Sequence, residues 1–253
     1  VDIRQLLGLP ELLEVRSLVC VQPHPDDNEV GAGGTLLTLA QRGCRIVFVT
    51  VTDGRWGAED PTVSAQDLIA VRRGERDAAG QMIGVAVQLE LGFEDGGDYE
   101  ERSVMEALIP ILRKEKPELV MTVDPWMPYE SHPDHQKTGR AVAAAVLAAG
   151  HIQFPEAGAP YGVPQVAFYG SSYPNTWVDV TATWETKMAA IFAHKSQFDN
   201  TEWPLLSQYF ADQAAVAFRN HAPMPGVVSS GYAEAFKVLS RRQLHFFPSA
   251  VYL

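Results

Sequence analysis

Apolar positions along the first half of the chain alternate between two textures. Short runs rich in β-branched residues, at 18–21, 45–52 (RIVFVTVT), 87–91 and 119–123, predict strands. Between and after them, residues 30–41, 67–83, 103–114 and 136–149 space their apolar side chains with a helical period, with Gly150 placed to cap the last. The second half is less regular. A proline- and glycine-rich loop at 154–164 precedes strands expected at 166–169 and 177–180 and helices at 183–194 and 205–218. Strand, helix, strand in this order implies right-handed crossovers, hence an α/β fold: a Rossmann-like open, mainly parallel sheet with helices on both faces. With no linker-like stretch and no repeat, residues 1–253 are expected to form a single domain.

In such a sheet, ligands gather beyond the carboxyl ends of the strands. PHPDDNE (residues 23–29) follows the first strand, Asp53-Gly54 the second, Asp95-Gly96 the third and PWMPYESHPDH (residues 125–135) the fourth, so four acid-bearing turns share one edge. Two of them repeat a theme: His24-Pro25-Asp26-Asp27 and His132-Pro133-Asp134-His135. Residues three apart can face one way on a first helical turn, and proline at the second position suits the first helical site. His24 and Asp27 would then grip one cation, and an imidazole from the second turn would complete three nitrogen and oxygen ligands with a vertex left for water, the pattern of catalytic zinc; Fe²⁺, Mn²⁺ or Co²⁺ would also be accepted. Asp26, aimed apart from Asp27, would take the proton of that water, which makes metal-assisted hydrolysis the expected chemistry. The plainer reading of either turn is a polar helix cap.

Charge narrows the partners. Lysine and arginine total 20 against 31 acids, a net charge of −11, which disfavours nucleic acid and anionic membrane surfaces. No apolar run reaches a membrane span, and VDIRQLLGLPELLEV carries acids where a secretory leader would be basic, so a cytoplasmic protein is expected. Cys20 and Cys44 are too few for a thiolate metal site and read as buried packers. GAGG (31–34) is no dinucleotide fingerprint, because Leu36 stands at the sixth position; these glycines instead let a helix pack tightly under the HPDD turn. Trp126 and Tyr129, beside HPDH in a proline-rich loop, would form an aromatic wall or lid over a bound ligand.

PHPDDNEVGAGGTL followed by SHPDH resembles the LmbE-like, or PIG-L, family of metal-dependent N-deacetylases. RRGERDAAGQMIG (72–84), YPNTWVDVTATWETKMAAIFAHKSQF (173–198) and, more weakly, YAEAF (232–236) extend the similarity over residues 19–198 and beyond. The resemblance implies zinc held by His24, Asp27 and His135, with Asp26 as general base. It implies a protonated His132 stabilising the oxyanion, and Asp134 orienting or charging that imidazole. Arg72 would hold the sugar, Asp95 would lie near its hydroxyls, and His194, otherwise an ordinary packed histidine, would reach substrate. Asn28 separates the paired aspartates from Glu29, which is read as buried support. The implied substrate is an N-acetylglucosamine-type sugar or conjugate, and the implied assembly a homo-oligomer, trimer or hexamer. The rivals are a two-metal phosphoesterase, with a second cation on Asp53 or Glu29, and a non-catalytic sugar- or metal-binding module.

Overall fold

The structure, a computed structural model, describes residues 3–58, 60, 62–221 and 230–246. After a short helix α1 (Ile3–Leu7), the chain alternates β1 (Ser17–Gln22), α2 (Asp27–Gln41), β2 (Arg45–Thr52), α3 (Ala65–Ile83), β3 (Val87–Phe93), α4 (Glu101–Glu115), β4 (Leu119–Val123), α5 (Pro133–Ala148) and β5 (Gln165–Tyr169). It ends with β6 (Thr176–Asp179), α6 (Trp184–Phe192), α7 (Lys195–Phe198), α8 (Trp203–His221) and β7 (Ala233–Ser240). The seven strands form one sheet in the order β3-β2-β1-β4-β5-β7-β6. Its first five strands in that order run parallel, while β7 lies antiparallel to β5 and to β6.

The inner parallel strands β1, β2, β4 and β5 read as largely apolar runs because both faces of the sheet are covered there. Period-two alternation sends Leu18, Cys20, Ile46, Phe48, Leu119 and Met121 into one apolar cluster with α2, and Val19, Val21, Val47, Val49 and Val120 into another with α4 and α5. Both cysteines are free and buried. Among the described residues, no helix is long and apolar enough to cross a membrane.

β1 pairs with β2 on one side and β4 on the other. The connections therefore leave in opposite directions between β1 and β4, which opens a crevice at their carboxyl ends. The HPDD and HPDH turns both follow these two strands.

Several boundaries differ from expectation. α2 begins at Asp27 rather than residue 30, so Pro25 lies outside the helix, whereas Pro133 does open α5. Gly150 adopts no capping conformation; the last helical residues pass into Ala149 in a right-handed turn, and Gly150 makes room for Arg241, into which a side chain would run. The single helix expected over 183–194 is a 3-10 turn (Thr181–Thr183) and α6, with the chain breaking at His194 before α7. β7, prefigured only by YAEAF, carries Glu234 and Lys237 at buried positions, which blurs its alternation. The glycines of α2 do allow close packing: a side chain at Gly31 would collide with the Tyr169 ring, and one at Gly34 with Val180.

Candidate active site

The first turn is held in an unusual backbone shape. Asp26 has φ 137° and ψ −25°, a region L-residues rarely occupy. Such strain persists where neighbours over-determine it. His24 N–H donates to Asp27 Oδ2 at 2.7 Å, and Thr52 donates to the Pro23 carbonyl through both its amide and its hydroxyl, each at 2.9 Å. Arg72, buried on α3, donates to the carbonyls of Gly54 and Pro25 and to Asp26 Oδ2, all at 2.9 Å. Asn28, fully buried, donates its backbone N–H to Gln22 Oε1 (3.0 Å) and its side-chain amide to the Cys20 carbonyl, and its Oδ1 accepts from Cys20 Sγ and Tyr169 OH.

The second turn meets the first across the crevice. His24 Nδ1 lies 3.3 Å from Asp27 Oδ2, and His135 Nε2 lies 3.4 Å from Asp27 Oδ1. One donor atom from each of His24, Asp27 and His135 falls within 4.8 Å of the others. Each imidazole is oriented from its far nitrogen: His24 Nε2 by Asp95 (3.2 Å) and Asp134 (3.3 Å), His135 Nδ1 by Glu130 (3.0 Å). Carboxylates behind histidines in this way fix ring orientation and raise ligand basicity.

A second donor set, His24, His132 and Asp134, is equally compact. Its atoms are otherwise engaged. The Asp134 carboxylate accepts from Gly96 N–H and Tyr99 OH, each at 2.8 Å, and His132 Nδ1 accepts from Asp134 N–H at 3.3 Å. The chemistry of the first set, two imidazoles and one carboxylate with their outer atoms satisfied, fits a borderline divalent cation such as zinc.

Electrostatics follow from burial and pairing. Burial pushes the Asp26 carboxyl up to about 6, against the opposing charge of Arg72 and with the help of Asp27. Asp27 is held well below the usual carboxylate range: burial opposes this, but hydrogen bonds to His135 and His24 overcome it. His24 is raised well above an ordinary histidine, because contacts with Asp134, Asp27 and Asp95 outweigh burial. His135 is raised as well, Asp27 outweighing burial. His132 is lowered, by burial and then by its histidine neighbours.

The remaining candidate residues each make defined contacts. The Asp134 carboxylate turns to His24 rather than orienting His132; only its backbone serves His132, whose ring is moved toward the neutral form rather than the protonated one. Arg72 donates to Asp26 and to the carbonyls of Gly54 and Pro25. Asp95 is directed at His24 and at the Trp56 amide rather than at solvent. His194 is fully buried, 3.8 Å from the equally buried Glu29, and so presents no atom to the crevice. Trp126 and Tyr129 are exposed on the loop before α5, Trp126 standing edge-on to Phe168. Glu130, Tyr99 and Asn28 join the site without a motif of their own: Glu130 lies within residues 125–135, five positions before His135, whereas nothing local marks Tyr99.

Three comparisons bear on the whole. The profile of the GlcNAc-PI de-N-acetylase family, PIG-L, matches residues 19–146. The diacetylchitobiose deacetylase of Thermococcus kodakarensis is 33% identical over 242 residues, 94% of this chain and 88% of the relative. A 1D-myo-inositol 2-acetamido-2-deoxy-alpha-D-glucopyranoside deacetylase of Rhodococcus opacus is 32% identical over 176 residues, 60% of each chain. Among solved structures, N,N'-diacetylchitobiose deacetylase from Pyrococcus horikoshii, complexed with its inhibitor MPG, superposes with a TM-score of 0.88 at 31% identity, covering 97% of this chain and 92% of that one.

Proposed function

The chain belongs to the GlcNAc-PI de-N-acetylase (PIG-L) family, and we propose that it hydrolyses the acetamide of an N-acetylglucosamine-type sugar, with N,N'-diacetylchitobiose as the favoured substrate. The observation that carries this reading is the convergence of His24, Asp27 and His135 within 4.8 Å, each imidazole backed by a carboxylate, beside a partly buried Asp26 that takes no part in the set. These three residues would hold a divalent cation, zinc in the first instance. When bound, that cation supplies Lewis acidity, which polarises the acetyl carbonyl and makes water nucleophilic near neutral pH.

The chain's own residues supply the rest. Asp26 takes the proton of the attacking water; its carboxyl, pushed up to about 6, lies near the working pH a general base needs. Arg72 fixes that carboxylate through Oδ2. Because His132 Nδ1 accepts from the Asp134 amide, Nε2 is its donor, and it stabilises the carbonyl oxygen as charge develops there. The C–N bond then breaks, the proton held by Asp26 passes to the amine nitrogen, and acetate and the free amino sugar leave. Asp134, Asp95 and Glu130 act as positioning residues for the two histidines. A trimeric or hexameric assembly and a cytoplasmic setting belong to the same reading.

The test is acetate release from N,N'-diacetylchitobiose and N-acetylglucosamine. Activity should vanish on chelation and return with one equivalent of zinc. Return only at two equivalents, or turnover that persists after complete metal removal, would overturn the reading in favour of a two-metal or metal-independent enzyme.

A further inference from the structure

The loop after β2 carries an aromatic side chain that the proposed chemistry leaves unused. Trp56 is 68% exposed, yet its backbone is anchored to a buried acid. Its amide donates to Asp95 Oδ2 at 3.1 Å, while Oδ1 of the same carboxylate lies 3.2 Å from His24 Nε2. A single side chain therefore joins the indole's backbone to a residue of the donor set. On either side the loop is stitched down. Arg55 is locked to Asp53 through its amide and its guanidinium, and the Gly57 carbonyl accepts from Gln197 Nε2 at 3.0 Å. A Cβ at Gly57 would meet the side-chain ends of Gln197 and Arg72, which close around the backbone here. The indole itself rests near Gly96, whose amide secures Asp134.

The surrounding charges are mutually satisfied, with Arg55 bridging Asp53 and Glu94. What the loop offers is an uncharged, rigidly carried aromatic face, one residue outward from the metal-ligand set. Rigid aromatic platforms bind with little loss of conformational entropy, and the apolar face of a pyranose suits them better than an ion does. Trp126 and Tyr129 lie in the loop before α5, where their amides donate to Asp124 Oδ1 and Met127 Sδ rather than to a carboxylate that backs His24 or His135.

Resting on the deacetylase reading, we infer that Trp56 is the platform of a second-sugar subsite: the ring next to the reacting N-acetylglucosamine stacks on its indole, and this contact makes the enzyme prefer a disaccharide to a monosaccharide. The assay is equilibrium binding of N,N'-diacetylchitobiose and of N-acetylglucosamine, by calorimetry, to the zinc-loaded Asp26→Asn protein with and without Trp56→Ala or Trp56→Phe. The disaccharide-to-monosaccharide affinity ratio should fall about 5- to 10-fold in Trp56→Ala and recover in large part with Trp56→Phe. An unchanged ratio overturns the subsite, as does loss of both affinities in equal proportion, which marks a structural role, or a protein that binds neither sugar. Acetate release by the unsubstituted protein is recorded in parallel. A predicted ratio without acetate release defeats the deacetylase reading and leaves the subsite standing.

Discussion

Asp26 combines three conditions that rarely coincide in one residue: a positive φ, a partly buried carboxyl, and an arginine held against it. Its backbone shape turns the side chain away from Asp27, so two adjacent carboxylates serve different ends, one in the donor set and one beside it. Replacing it with asparagine keeps size and polarity while removing the base. In Asp26→Asn, kcat should fall by about 10²- to 10⁴-fold, with bound zinc, measured by metal analysis, still one equivalent. Loss of metal together with activity would instead make Asp26 a ligand. Sequence spacing pointed to Asp26, Asp27 and the paired histidines because both motifs are contiguous. It missed Glu130, which lies on a loop where no periodicity says that its carboxylate folds back onto His135.

β7 and α2 explain each other at the level of elements. Glu234 on β7 accepts from the amides of Gly34 and Thr35 (2.9 and 2.8 Å) and pairs with Lys187 of α6 at 2.7 Å, all of them buried. This contact pins the antiparallel end of the sheet to the helix that starts at the HPDD turn. It also explains why the strand was hard to read, since an acid and a lysine at interior positions contradict the apolar pattern expected of a core strand. Removing one partner leaves the other uncompensated. Lys187→Met should lower unfolding free energy by about 3–5 kcal/mol in urea titration, whereas a Lys187→Met/Glu234→Gln pair should lose less. Equal losses in the single and double variants would show that the ion pair is not the source. Arg113 plays a related part in the 149–158 loop, donating to the carbonyls of Ala149, His151, Gln153, Phe154 and Gly158. That explains how a proline- and glycine-rich stretch keeps one shape without regular structure.

For the molecule as a whole, the donor set closes a bridge between two halves of the sheet. His24 and Asp27 follow β1, and His135 follows β4, on the two sides of the crevice where strand order reverses. A cation bound there links segments more than a hundred residues apart and binds only the folded chain. Zinc at 100 times its dissociation constant should therefore stabilise the protein by about 2.7 kcal/mol. Calorimetry should show Tm rising with zinc in the unsubstituted protein and far less in His135→Ala. A Tm indifferent to zinc would count against the site.

The alternation of strands and helices, the burial of both sheet faces, and the clustering of acid-bearing turns at one edge were determined by the sequence alone. They depend on periodicities of two and 3.6 residues and on motifs a few residues long, all of which are local. Only the tertiary structure decided which carboxylate backs which imidazole, that Arg72 faces Asp26, that His194 is sealed against Glu29, and that the Trp56 amide is held by the carboxylate of Asp95. Those outcomes join residues such as His24 and Asp134, 110 positions apart. Their juxtaposition is fixed by how strands are ordered and helices packed, and no local pattern encodes it.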